Sequence, residues 1–143
     1  MGHYYHASGY GITVKPLYYA NLDKLKKIAA ELTGKNYSHI TDLDDFDYEI
    51  FSPSFGNIEG IPALFAAYIN KMENISLNYL TADDDDIIVM QASYPWQKDC
   101  LTKEEQEMTE EKLNQIFAKY QDLLEIPNNK QETADYISAY GYC

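Results

Sequence analysis

Three stretches of the chain repeat their apolar residues at three- and four-residue steps, which is the period of an amphipathic helix. The predicted helices span residues 22–33, 62–73 and 103–125. Asn21 can cap the first helix and Gly34 can end it in a left-handed conformation, while Pro62 suits the first turn of the second. Thr102 opens a capping box for the third helix, and Thr109 offers an alternative start.

Four other stretches have the residue types or the two-residue alternation of β-strands. They fall within residues 10–19, 48–52, 75–79 and 87–92. Because Pro16 lacks an N–H group, we predict that the first is an edge strand or that it ends near this residue. The second follows an acidic loop, and the last two flank an ADDDD segment that predicts a hairpin with an aspartate tip.

The predicted element order is β-α-β-α-β-β-α, which is typical of the α+β class: a small, mainly antiparallel sheet of about four strands packed with three helices. A chain of 143 residues is long enough for one domain to bury a core without disulfides. We therefore expect a single domain over residues 1–127. Residues 128–143 are predicted as a tyrosine-rich C-terminal tail or a short helix.

Acidic residues outnumber basic ones by 23 to 11, which gives a net charge of −12, and all the basic residues are Lys. Such a chain is unsuited to bind DNA, RNA or an anionic membrane directly. No apolar run approaches the roughly 20 residues of a membrane span, and the N-terminus lacks the regions of a secretory signal. Cys100 and Cys143 form no disulfide framework, so the expected location is the cytoplasm.

Motifs with established chemistry are missing from the sequence. It contains no G-x-S-x-G elbow, no phosphate-binding glycine loop and no C-x-x-C pair. His3, His6 and His39 have no cysteines at zinc-site spacing, and neither aspartate run fits the twelve-residue calcium loop. We therefore predict no catalytic residue, no metal and no cofactor. A metal-dependent enzyme built on the aspartate clusters stays as an alternative.

Negative charge is concentrated in three short segments, which hold fourteen of the 23 acidic residues. A row of carboxylates can occupy the cationic groove with which a protein binds nucleic acid, and neighbouring tyrosines can anchor the contact. The predicted partner-binding residues are Asp42, Asp44, Asp45, Asp47, Glu49, Asp83, Asp84, Asp85, Asp86, Glu104, Glu107, Glu111, Tyr48, Tyr79 and Tyr94. The competing interpretation is that these acids complement helix dipoles or are simply solvated.

The residues Ser93-Tyr94-Pro95-Trp96-Gln97, followed by TKEEQEMTEEKLNQIF, are similar to segments of small acidic proteins from phages and mobile elements of low-GC Gram-positive bacteria. In size, in acidity and in its lack of a catalytic motif, the chain resembles anti-CRISPR proteins. The resemblance lies in composition, so it assigns no residue. It implies a non-enzymatic inhibitor, acting in a bacterial host cell, of a basic nucleic-acid-binding protein such as a Cas effector or another defence nuclease.

A second function class is compatible with the same composition. Fourteen tyrosines supply rigid contact area at low entropic cost, and they would suit a surface between copies of the chain. The alternative is therefore a phage structural or assembly protein, or another homo-oligomer, whose acidic residues only solubilise it.

Overall fold

The computed structural model describes residues 4–52, 58–80, 86–90, 103 and 108–142. The helices in these ranges are α1 (Leu22–Thr33), α2 (Leu43–Glu49), α3 (Gly60–Glu73) and α4 (Glu110–Leu123). The strands are β1 (Tyr4–Thr13), β2 (Phe51–Ser52), β3 (Ile58–Glu59), β4 (Asn78–Leu80), β5 (Ile87–Met90) and β6 (Asp135–Tyr142). Short 3₁₀ helices occupy Lys15–Tyr19 and Asn128–Lys130.

The predicted α+β class is confirmed by a four-stranded antiparallel sheet packed with helices. Its strand order is β4-β5-β1-β6, and β2 pairs with β3 in a separate two-stranded ribbon. The predicted hairpin is also confirmed, since Leu80 of β4 lies opposite Ile87 of β5. The described order, β-α-α-β-β-α-β-β-α-β, contains one helix and two strands more than the sequence predicted.

Helix α1 begins and ends where the sequence predicts, because both of its ends are set by local chemistry. The Asn21 side chain accepts a hydrogen bond from the Lys24 N–H group at 3.2 Å, which satisfies one of the free donors of the first turn. At the other end Gly34 has φ 73°, a left-handed conformation that glycine adopts without steric cost. The helix buries Leu25, Ile28, Ala29 and Leu32.

Pro16 left two alternatives for the first strand, an edge position or an end near this residue, and the structure shows the second. β1 ends at Thr13 and lies inside the sheet between β5 and β6. Pro16 occupies the 3₁₀ helix that follows. Gly11 allows β5 to approach closely, because a Cβ atom at this position would overlap the carbonyl oxygen of Ile88.

The C-terminal segment is a strand and not the predicted tail or short helix. β6 pairs with β1 in an uninterrupted register from Tyr4 opposite Tyr142 to Gly11 opposite Asp135. The prediction failed because β6 is stabilised by hydrogen bonds to a strand more than a hundred residues away, which no local pattern reveals. The domain boundary at residue 127 stays a prediction.

The acidic loop predicted before residue 48 was also wrong, because residues 43–49 form α2. The Asp42 side chain accepts from the Asp45 N–H group at 2.8 Å and caps this helix, and Phe46 supplies its buried contact. The predicted strand at 48–52 shrinks to the two residues of β2. At α4 the structure shows the alternative start, with Thr109 accepting from the Lys112 N–H group at 3.1 Å.

Apolar side chains are buried on both faces of the sheet. On one face, α1, α3 and α4 share a core in which the Phe65 and Phe117 rings stack at 6.4 Å. On the other face, Ile87 and Val89 are almost fully buried. A strand covered on both faces is a continuous apolar run and not an alternating one, which explains the IIVM sequence of β5.

Candidate functional site

The acidic residues of α2 divide into those that build the helix and those that face solvent. Asp42 is the N-cap residue described above. The Asp47 carboxylate accepts from the Ile61 N–H group at 2.7 Å and so satisfies a free donor in the first turn of α3. Gly60, with φ 85°, places this turn against Asp47. Asp42 and Asp47 are therefore structural residues as well as charges.

The remaining acids of α2 are exposed, and their charges are not balanced within the helix. Asp44, Asp45 and Glu49 all face solvent. The pKa of Asp45 is raised, first by the nearby charge of Asp42 and also by Glu49 and Asp44. Glu49 lies 3.1 Å from the ring of His39. The fold thus keeps like charges close enough to disfavour ionisation of one of them.

Asp86, the residue before β5, joins the acids of α2 around Tyr18. The pKa of Tyr18 is raised by burial and then by the charges of Asp47, Asp86 and Asp44, in that order. The Tyr79 hydroxyl donates to the Asp86 carboxylate at 2.9 Å, and burial followed by this bond raises the pKa of Tyr79. Asp86 and two acids of α2, Asp44 and Asp47, are therefore all close enough to Tyr18 to act on its hydroxyl group.

We call this region the acidic surface. It comprises Asp44, Asp45, Asp47, Tyr48, Glu49 and Asp86, together with Tyr18 and Tyr79. Tyr48 is its most exposed aromatic side chain, with 91% of its surface accessible. Tyr79 was predicted as an anchor, but it is half-buried and holds Asp86 in position. Tyr18, 42% exposed, was not among the predicted residues, since no local pattern links it to α2.

Of the site residues predicted in the third cluster, the structure describes Glu111. It stands in the exposed first turn of α4, where a carboxylate complements the helix dipole. It lines an open groove of about 970 Å³ whose described walls come from α4 and from residues 128–133. None of those wall residues belongs to α2 or β5. The assignment of Glu111 to the partner-binding surface stays a prediction.

Six predicted site residues lie outside the described residues. Glu104 and Glu107 precede Glu111 in the sequence, and Tyr94 follows β5. Asp83, Asp84 and Asp85 lie between β4 and β5 in the sequence. Their assignment to the partner-binding surface stays a prediction.

Two other features are absent from the residues that the structure describes. Within those ranges, no three His, Cys, Asp or Glu side chains are grouped so that they could hold a metal ion. No helix there is both long and apolar enough to cross a membrane. No protein-family model matches the chain, and neither the curated proteins nor the solved structures contain a match to it.

Proposed function

We propose that this chain is a non-enzymatic interaction protein that binds the cationic surface of a nucleic-acid-binding protein and so competes with nucleic acid. The observation that carries the proposal is the proximity to Tyr18 of Asp44 and Asp47 from α2 and of Asp86, the residue before β5. Acids kept only for solubility have no reason to converge. Here they share one surface with exposed aromatic rings.

The density of charge on α2 approaches that of a nucleic acid. The seven residues of α2 hold four carboxylates and rise by about 10.5 Å, which gives one charge per ~2.6 Å. Duplex DNA carries one charge per ~1.7 Å of its axis. A groove lined with Lys and Arg that accepts phosphates would therefore meet a comparable field on this helix.

The free protein leaves this negative charge available to a partner. The sequence has no Lys between Lys35 and Lys71, and the raised pKa of Asp45 reports repulsion from its acidic neighbours. A cationic partner would remove this repulsion on binding. Electrostatic complementarity of this kind mainly accelerates association and selects the partner.

Tyr48 supplies the contact area that charge alone lacks. Its ring is almost fully accessible on α2, between Asp47 and Glu49 in the sequence. Tyrosines are frequent among the residues that dominate interface energies. We propose Tyr48 as the anchor and the surrounding acids as the steering charges. The target class we propose, from the resemblance to anti-CRISPR proteins, is a Cas effector or another defence nuclease in the bacterial cytoplasm.

The test is affinity capture from a nuclease-treated lysate of a low-GC Gram-positive host, followed by elution with duplex DNA. The bait is the wild-type chain or the triple variant Asp44→Asn, Asp45→Asn, Glu49→Gln, which keeps both capping residues. A matched control, Asp23→Asn, Glu110→Gln, Glu125→Gln, removes the same charge from exposed positions outside the acidic surface.

We expect wild type and control to retain one basic nucleic-acid enzyme that DNA displaces, and the α2 variant to lose it. Equal retention by the two triple variants would show that net charge alone is responsible and would reject the acidic surface. Retention that DNA does not displace would reject competition with nucleic acid.

A further inference from the structure

The two edges of the main sheet differ in length. β4, at one edge, has three residues, and β6, at the other, has eight. Among the described strands, β6 has a neighbour only on the side of β1. An edge strand presents a row of N–H and C=O groups that can pair with another strand. β6 is thus the longer template of the two.

Within its own eight residues, β6 lacks the devices with which natural strands block such pairing. Its sequence, DYISAYGY, contains neither Pro nor Lys. Its register with β1 runs through eight successive pairs without an extra residue, so no bulge twists the edge away. Short length, charged residues, Pro and bulges are the usual protections, and the single charge of β6 is Asp135 at its first position.

One half of the β1–β6 pairing is only two strands wide in the described part of the chain. β5 pairs with β1 from Tyr10 to Thr13, whereas β6 continues to Tyr4. Residues 4–9 and 137–142 therefore form a two-stranded ribbon there. Such a ribbon is marginally stable in water, and additional strands are needed for independent stability.

We propose that β6 pairs antiparallel with β6 of a second copy across a two-fold axis, which joins two sheets into one of eight strands. Directly opposed residues of an antiparallel pair turn their backbone N–H and C=O groups either both toward or both away from the partner strand. The residue at the two-fold axis must therefore lie opposite the same residue of the second copy. At the centre of β6 this residue is Ser138 or Ala139. The dimer widens the ribbon from two strands to four, which supplies the additional strands that a stable ribbon needs.

The charge of β6 favours an antiparallel arrangement over a parallel one. A parallel pair would place the two Asp135 carboxylates side by side. In the antiparallel pair they lie about six residues apart along the strands, or ~20 Å, which exceeds the Debye length of ~8 Å at physiological ionic strength. A two-fold dimer thus avoids the one like-charge contact that this edge could make.

The dimer and the acidic surface respond to salt in opposite directions. Each copy carries a net charge of −12, so association of two copies is opposed by long-range repulsion that salt screens. We therefore expect salt to strengthen the dimer, whereas it weakens binding of a cationic partner. The proposal is independent of the proposed function, and this difference separates failure of one from failure of the other.

The experiment is sedimentation velocity on the full chain over a concentration series at low and at high salt. We expect the mass to rise from 16.5 kDa to twice that value, at lower concentration in high salt. A chain that stays monomeric throughout the series overturns the proposal, even if its edge accepts a strand from another protein.

Two proline variants locate the interface, Ser138→Pro and Ala139→Pro. N–H groups of successive strand residues point to opposite sides, so one proline removes an outward donor and the other disrupts pairing with β1. The first should weaken the dimer by about tenfold or more, since each copy loses a hydrogen bond worth ~1 kcal/mol. Circular dichroism identifies which variant keeps its fold.

Hydrogen exchange on the wild-type chain provides a second measurement that needs no variant. Alternate amides of β6 should gain protection as the dimer forms, because they become donors to the second copy. A dimer that both proline variants retain, or one whose formation leaves every β6 amide unchanged, overturns the proposal.

Discussion

The carboxylates of α2 and those beside α4 are the same chemical groups in opposite environments. Glu73 accepts from the Tyr120 hydroxyl at 2.5 Å and from Lys119 at 3.2 Å, and these contacts lower its pKa despite partial burial. Asp45 faces solvent, and the charge of Asp42 raises its pKa. One carboxylate is stabilised as an anion by the fold, and the other is destabilised by its neighbours.

This difference separates acids that maintain the fold from acids that are available to a partner. Glu132 belongs with Glu73, since its carboxylate accepts from both the N–H and the hydroxyl group of Thr13 at 2.7 Å. Asp44, Asp45 and Glu49 belong to the second kind. Sequence position does not distinguish the two kinds, whereas their hydrogen-bond partners do. Substitutions should therefore affect stability in one group and binding in the other.

The largest loss of stability is expected for Glu132→Ala. This substitution removes the acceptor for Thr13, which joins the end of β1 to the segment before β6. Hydrogen bonds to a charged group contribute ~1.5–3 kcal/mol each, and the two donors of Thr13 lose their acceptor, so the free energy of unfolding should fall by about 3 kcal/mol or more. Urea denaturation measures this fall. Glu132→Gln, which keeps one acceptor oxygen, should lose less, and equal losses would contradict the account.

Asp47→Ala is the next largest effect, and it sharpens the comparison because Asp47 lies within α2. Loss of the cap on the Ile61 N–H group should lower the unfolding free energy by about 1–2 kcal/mol. Asp44→Ala, three residues away in the same helix and of equal charge, should change it by less than ~0.5 kcal/mol, because the Asp44 side chain faces solvent. Thermal or urea unfolding of the two variants decides whether one helix contains both kinds of acid.

A smaller effect is expected in the pH dependence of stability. Glu73 has a lowered pKa in the folded state, so its contribution is present above the ordinary value of 4.5 and is lost as the pH falls through the folded value. Asp45 has a raised pKa, so stability gained by its protonation is present below the ordinary value of 3.8 and is lost as the pH rises through the folded value.

Acidification should therefore separate Glu73→Gln from Asp45→Asn. The Glu73 variant should lose less stability than wild type as the pH falls, because it lacks the carboxylate whose protonation destabilises the folded state. The Asp45 variant should lose more, because it lacks the carboxylate whose protonation stabilises the folded state. Chemical unfolding at a series of pH values measures both slopes, and slopes of the same sign relative to wild type would remove the distinction between the two acids.

The smallest effect is expected for Glu49→Gln. The contact of Glu49 with His39 is exposed, since the two side chains are 47% and 64% accessible. Exposed ion pairs contribute little, so the unfolding free energy should change by less than ~0.5 kcal/mol. A loss greater than ~1 kcal/mol in urea denaturation would place Glu49 among the structural acids.

The parts of the fold that were predictable from the sequence are those set by short-range chemistry. Asn21 and Gly34 define both ends of α1, and the apolar period defines α3. Helix α2 was missed because Phe46 is its single buried residue, which leaves no helical period to detect. The available signal was Asp42, a residue type preferred at the N-cap position, followed by Asp44 and Asp45 in the first turn, where acids complement the helix dipole.

Long-range pairing explains what the sequence could not predict. β6 depends on β1, and the interior position of β1 depends in turn on β6. The same reason applies to the acidic surface, because Asp86 and Tyr18 reach α2 only through the packing of separate elements. The sequence predicted the charges of this surface and left open whether they converge.

The central claim is that the acidic surface, rather than net charge, receives a cationic partner. Nuclear magnetic resonance of the full chain titrated with a short polyarginine peptide tests it most directly. The account predicts that, among the described acids, signal changes concentrate on residues 44–49 and Asp86, and that the pKa of Asp45 falls as the peptide binds. Equal changes at Asp23, Glu110 and Glu125, with no change in the pKa of Asp45, would contradict it.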